Sequence, residues 1–68
     1  MARLPVVSGR AAVRAFQALG WEVARQSGSH VILVRDGHTA TLSVPDHDEV
    51  AKGTLRALIR AAGLTVDE

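Results

Sequence analysis

A chain of 68 residues with eight Lys and Arg, seven Asp and Glu and a net charge of +1 holds one domain at most, spanning residues 1–68 as a single unit. It has no cysteine. That excludes disulfide staples and thiolate metal sites, and fits the reducing cytoplasm better than secretion, where small domains usually need such staples.

A chain this short buries only about 60% of the surface that its unfolded form exposes. Modest stability is therefore expected, and a partner would add to it by mass action. The longest unbroken apolar run, Val31 to Val34, falls far short of the roughly 20 residues of a membrane span. The opening "MARLPVVSG" lacks the apolar core and cleavage site of a signal peptide. Five of the seven acids (Asp46, Asp48, Glu49, Asp67, Glu68) sit in one loop and the C-terminal tail. The cations, from Arg3 to Arg60, fall mostly on the predicted elements, which leaves room for a basic face on a nearly neutral chain.

The stretch "VVSGRAAVRAFQALGW" predicts a helix. Ser8 is a suitable N-cap, although Ala11 leaves the capping box incomplete. Ala12, Val13, Phe16 and Leu19 form an apolar stripe at helical spacing, and Gly20 suits the left-handed residue that ends a helix. Arg10, Arg14 and Gln17 share another face. "WEVARQ" then alternates as a first strand, with Trp21, Val23 and Arg25 on one side. "SGS" is a turn, "HVILVR" a second strand, "DG" a tight-turn signal and "HTATLSV" a third strand that ends at Pro45. After the polar loop "PDHDEVAKG", "TLRALIRAAG" repeats Leu55, Leu58, Ile59 and Ala62 at helical spacing, and Gly63 closes it.

Turn lengths assign the faces of the sheet. A two-residue Asp36-Gly37 turn pairs Arg35 with His38, Leu33 with Ala40 and Val31 with Leu42. A three-residue Ser27-Gly28-Ser29 turn sets Gln26 opposite His30. Trp21 and Val23 then join Val31, Leu33, Ala40, Leu42 and Val44 on one apolar face that receives both helices. A two-residue first turn would split that core, so three is preferred. His30 then points to the open face near Gln26, Thr41 and Ser43, beside Ile32 and Val34, which mark a partner surface. The expected class is α+β: a two-layer α-β-β-β-α sandwich with both helices on one face of a three-stranded antiparallel sheet. That is the element order of double-stranded-RNA-binding domains.

Two features bear on chemistry. His30 opens an apolar strand directly after Gly28 and Ser29. Its bland reading is a surface residue; its sharp reading is a general acid or base, because imidazole exchanges its proton near neutral pH. Lys52, Arg56 and Arg60 are spaced by four and stack on one face of the second helix. They read either as a solvated stripe or as phosphate contacts at a helix start. Asp46, His47, Asp48 and His38 are weighed as metal ligands and set aside. Adjacent loop residues rarely supply a metal's geometry, and a role in holding the loop fits them better. Trp21 and Phe16 are assigned to the core, so no aromatic platform for stacking bases is expected.

The series "W-x-V-x-R-Q-x-G-S-H", a strand pair, "S-V-P-x-H" and "K-G-T-L-R-x-L-I-R-x-A-G-L" resembles the HicA-type toxins of bacterial and archaeal toxin–antitoxin systems, over roughly Ser8 to Leu64. Ala11 and Ala24 depart from the residues more usual there. The resemblance implies a double-stranded-RNA-binding-domain fold and a small mRNA interferase whose catalytic histidine corresponds to His30. It also implies a HicB-type antitoxin that masks the active surface. Gly28, Ser29, Arg25, Lys52, Arg56 and Arg60 would seat RNA beside His30, through sugar and phosphate more than through bases. Neither a metal nor any other cofactor is required by that scheme. The alternative is a non-catalytic RNA-binding module of the same fold.

Overall fold

The computed structural model describes residues 6–64. Arg3 and the acidic tail residues Asp67 and Glu68 lie outside them. The elements run α1 (Gly9–Ala18), β1 (Glu22–Ser27), β2 (His30–Val34), β3 (Leu42–Pro45) and α2 (Lys52–Ala61). The strands form one antiparallel sheet in the order β1-β2-β3, which gives the expected α+β class and α-β-β-β-α order.

Both helices start and stop for local reasons. The Ser8 hydroxyl accepts a hydrogen bond from the Ala11 N–H at 3.1 Å, satisfying one of the four donors a helix start leaves open. At the other end the Trp21 N–H reaches the Phe16 carbonyl and the Gly20 N–H the Gln17 carbonyl, both at 3.0 Å. This is the Schellman pattern, with Gly20 at φ +99° in the left-handed position that favours glycine. α2 ends the same way, through Leu64 to Ile59 and Gly63 to Arg60. Its start at Lys52 is two residues earlier than expected, and Ala51 supplies no side-chain cap.

One apolar cluster lies between the helices and the sheet: Ala12 and Phe16 of α1, Trp21, Leu33, Leu42 and Val44 of the sheet side, and Leu58 of α2 with its C-cap Ala62. Leu33, Leu42 and Val44 are completely buried. Three residues expected in the core are exposed instead: Leu19, Val23 and Ala40. Leu19 is the C-cap of α1, and Val23 is on the edge strand β1.

The register corrects both turn assignments. The first hairpin turns on two residues, Gly28 and Ser29, so Ser27 rather than Gln26 pairs with His30. The core stays on one face because β1 carries an irregularity between Val23 and Arg25 that leaves Ala24 without a partner. Such a bulge adds one residue and restores the alternation. Val23 therefore still opposes Leu33, while Gln26 opposes Val31 and Arg25 opposes Ile32. Asp36 and Gly37 do turn the chain, with the His38 N–H bonded to the Arg35 carbonyl at 3.1 Å. They do not build a hairpin. A type I′ turn needs positive φ at both central residues, and only Gly37, at +83°, has it. The ladder begins instead at Leu33 opposite Leu42 and continues through Val31 opposite Val44. Ala40 consequently lies in the loop, exposed. The slip is two residues, so every side chain of β3 keeps the face expected of it.

Candidate functional site

The Gly28–Ser29 turn has glycine first and a negative φ at serine, as a type II′ turn requires. A Cβ on Gly28 would meet nothing within 4 Å, so backbone conformation at φ +59°, not space, calls for glycine. The turn is braced twice. The Ser29 carbonyl accepts the Asp46 N–H at 2.7 Å, and the Gln26 side-chain amide donates to the Gly28 carbonyl at 3.3 Å.

His30 follows at once as the first residue of β2, the central strand, opposite Ser27 on one side and Pro45 on the other. It is exposed. Alternation puts it with Ile32 and Val34 on the face that carries no helix. Ser43, opposite Ile32, shares that face as expected. Gln26 does not, because the bulge at Ala24 exchanges it for Arg25. Arg25 now stands diagonal to His30, a separation of about 7–8 Å that long side chains span.

Of the sequence-derived site residues, then, the fold gathers Gly28, Ser29, His30 and Arg25 at one end of the sheet. Lys52, Arg56 and Arg60 are in the other layer: α2 packs on β3 from the core side. Lys52 and Arg60 are exposed and Arg56 is half-buried. The loop Asp46–Ala51 links α2 to the turn by sequence, beginning at the Ser29 contact.

A cluster the sequence left unassigned is on α1. Arg10 and Arg14, four residues apart, line a cleft of about 380 Å³ together with Val13, Gln26, Val31 and Asp46. A second depression of about 350 Å³ beside it is lined by Ser8, Arg10, Asp46, His47 and Asp48. The spacing of the two arginines was visible in the sequence. The packing of α1 that turns them toward the Gly28–Ser29 end was not.

Backbone bonds tie the loop before α2 to the start of α1. The His47 carbonyl accepts the Gly9 N–H at 2.8 Å, and the Val50 N–H donates to the Val7 carbonyl at 2.8 Å. A Cβ on Gly9 would collide with the Pro45 carbonyl, so α1 starts hard against the end of β3. His38 is not near this loop. Its ring lies against Trp21, centroids 5.2 Å apart at 61°. Among the described residues no three His, Cys, Asp or Glu side chains are grouped to hold a metal ion, and no helix is long and apolar enough to cross a membrane.

A family model described as HicA toxin of bacterial toxin–antitoxin matches residues 9–64, from the first residue of α1 to just beyond α2. No curated protein and no solved structure matches the chain.

Proposed function

The chain belongs to the HicA toxin family of bacterial toxin–antitoxin systems, and from that premise we propose that it is a ribosome-independent endoribonuclease, an mRNA interferase, with His30 as its catalytic acid or base. A HicB-type antitoxin neutralises it by covering the surface around His30. The observation that carries this reading is the exposed ring of His30 at the head of the central strand, behind a turn fixed by Asp46 and Gln26. A braced backbone lets an exposed side chain meet a substrate in one geometry, and positioning of that kind supplies much of a catalyst's effect.

The chemistry needs only the RNA's own nucleophile. The ribose 2′-oxygen attacks the adjacent phosphorus, the bond to the 5′-oxygen breaks, and the products are a cyclic phosphate and a 5′-hydroxyl. His30 takes the proton from the 2′-hydroxyl or delivers one to the leaving oxygen. Such acid–base help is worth about 10²–10⁴-fold. Arg25, on the same face, offsets charge on the phosphate during attack. The Gln26 side-chain amide is given to the Gly28 carbonyl, and neither Gln26 nor Ser29 is a suitable group for the second proton transfer.

Expressing the chain without an antitoxin tests the reading. Growth arrest and RNA cleavage are expected. His30→Ala should abolish both while the circular dichroism spectrum and RNA affinity persist. Cleavage undiminished in His30→Ala would sink the catalytic assignment, and RNA binding without cleavage by either form would leave a binding module instead.

A further inference from the structure

We propose that the cleft between α1 and the Gly28–Ser29 end of the sheet is a nucleotide subsite that holds one residue of the bound RNA beside the scissile link. Arg10 and Arg14 take its phosphate, Val13 and Val31 floor its base, and Asp46 selects the base edge. The inference rests on the ribonuclease reading for the nature of the ligand, but on separate residues.

The lining has the composition of a nucleotide site. Arg10 and Arg14 are one helical turn apart and line the same cleft, so their guanidinium groups can converge on one phosphate, for which their planar, forked donors are suited. The volume of about 380 Å³ lies within the range of small-molecule sites. Val13 and Val31 are half-buried and offer an apolar surface. Asp46 decides between ligands. A carboxylate beside two guanidinium groups opposes a bare phosphate. It is of use only if the ligand also presents N–H donors, as an amino-bearing base does on the edges that proteins read in unpaired RNA. Uracil, which has no amino group and whose single N3–H donor stands between two carbonyl oxygens that repel a carboxylate, is the base it disfavours.

The cleft lies on the helix side of the sheet and the His30 ring on the other face, with the Gly28–Ser29 end of the sheet between them. Val31 lines the cleft and is the residue after His30 in β2. The Asp46 N–H holds the Ser29 carbonyl at 2.7 Å, and Gln26, another lining residue, braces Gly28 at 3.3 Å. A nucleotide seated here touches the residues that fix the turn presenting the imidazole. An RNA strand bending round the Gly28–Ser29 end would have one nucleotide in the cleft and a neighbouring phosphate at His30 on the other face. This location differs from the α2 cations that the sequence suggested.

The test uses the full chain carrying His30→Ala, so that RNA is bound and not consumed, with labelled single-stranded RNA hexamers varied one position at a time. Arg14→Ala and Arg10→Ala should weaken binding and flatten the dependence of log K on log salt by about 0.7 for each phosphate no longer neutralised. Arg14→Lys should keep the salt slope while still binding less tightly. At one hexamer position an amino-bearing base should be preferred over uracil about tenfold, and Asp46→Asn should remove that preference with the salt slope unchanged. Slopes unaffected by both arginine substitutions would overturn the proposal, as would the lack of any base preference sensitive to Asp46. Failure of the catalytic reading looks different: the His30→Ala chain would itself cleave the hexamers.

Discussion

Two short stretches of this chain look alike: Gly28-Ser29-His30 and Asp36-Gly37-His38 each place a histidine at the end of a glycine turn. The fold uses them in opposite ways. At the first, a two-residue turn closes a hairpin, neighbouring backbone and side-chain groups tie it down, and the ring is left exposed. At the second, the turn closes no ladder and the chain loops to Leu42, while the ring, though also exposed, lies against Trp21. Exposure on a fixed backbone suits a histidine to chemistry; contact with a core aromatic suits one to stability. The residues of the turn therefore matter less than what the backbone around it is bonded to.

The largest expected effect separates the two rings directly. His30→Ala should lower RNA cleavage by about 10²–10⁴-fold, and His38→Ala should leave it unchanged, measured on the same substrate at matched protein concentration. Similar losses in both variants would mean that the contrast is not functional. Next in size is the anchoring of the His30 end. Gly9→Ala puts a methyl group against the Pro45 carbonyl, and overpacking of this kind costs about 1–3 kcal/mol, more than the helix propensity gained. Urea unfolding should show the loss. Because the same packing seats the loop that reaches Ser29, cleavage should fall beyond what the unfolded fraction explains.

The contrast between the two turns was only half legible in the sequence. Three of the four helix limits were readable because Ser8, Gly20 and Gly63 carry strong local signals, whereas the uncapped start of α2 at Lys52 was not, and the core was readable because Phe16, Leu33, Leu42, Val44 and Leu58 keep the right periods. His30 stood out for the same reason, as a polar residue at the head of an apolar strand. The register was not readable. Turn length and strand parity constrain each other only if no bulge intervenes, and nothing about Ala24 announces one. A three-residue turn without a bulge and a two-residue turn with one give the same face to Val23. They differ from Ala24 to Ser27, and what matters for the site is that Arg25 and Gln26 exchange faces. Asp36-Gly37 misled in a similar way, since the dipeptide fits more than one turn and the φ of Asp36 decides which. The cleft on α1 was hidden because the spacing of Arg10 and Arg14 says that they share a face, not which neighbour that face meets.

A smaller effect tests the glycines themselves. Gly28 and Gly37 both have positive φ, and neither has an atom within 4 Å of where a Cβ would stand. Alanine at either position should cost about 1–2 kcal/mol from backbone strain alone. Thermal unfolding should therefore rank Gly28→Ala and Gly37→Ala together. Activity should divide them: Gly28→Ala shifts the residue before the turn serine and so displaces His30, whereas Gly37→Ala acts on a loop at the other end of the sheet. Equal activity in the folded fractions would show that the brace from Asp46 and Gln26 does not transmit geometry to the ring.

The smallest effect is the stability contributed by His38. Its ring meets Trp21 at 5.2 Å and 61°, an edge-to-face arrangement, and such pairs are worth about 0.5–1.5 kcal/mol beyond area burial. Trp21 is 2% exposed, and its indole N–H is buried without a hydrogen-bond partner among the described residues. Removing the imidazole therefore has two opposed consequences: the edge-to-face pair disappears, and water gains access to a donor that was costly to bury. His38→Ala should fall at the low end of that range in urea unfolding, with the Trp21 emission shifted to the red as the indole becomes wetter. His38→Phe retains an aromatic edge and should hold both stability and emission near those of the parent. His30→Ala should leave the emission where it is, because its ring has no part in covering Trp21. A red shift in His30→Ala equal to that in His38→Ala would show that the two ends of the sheet are not independent.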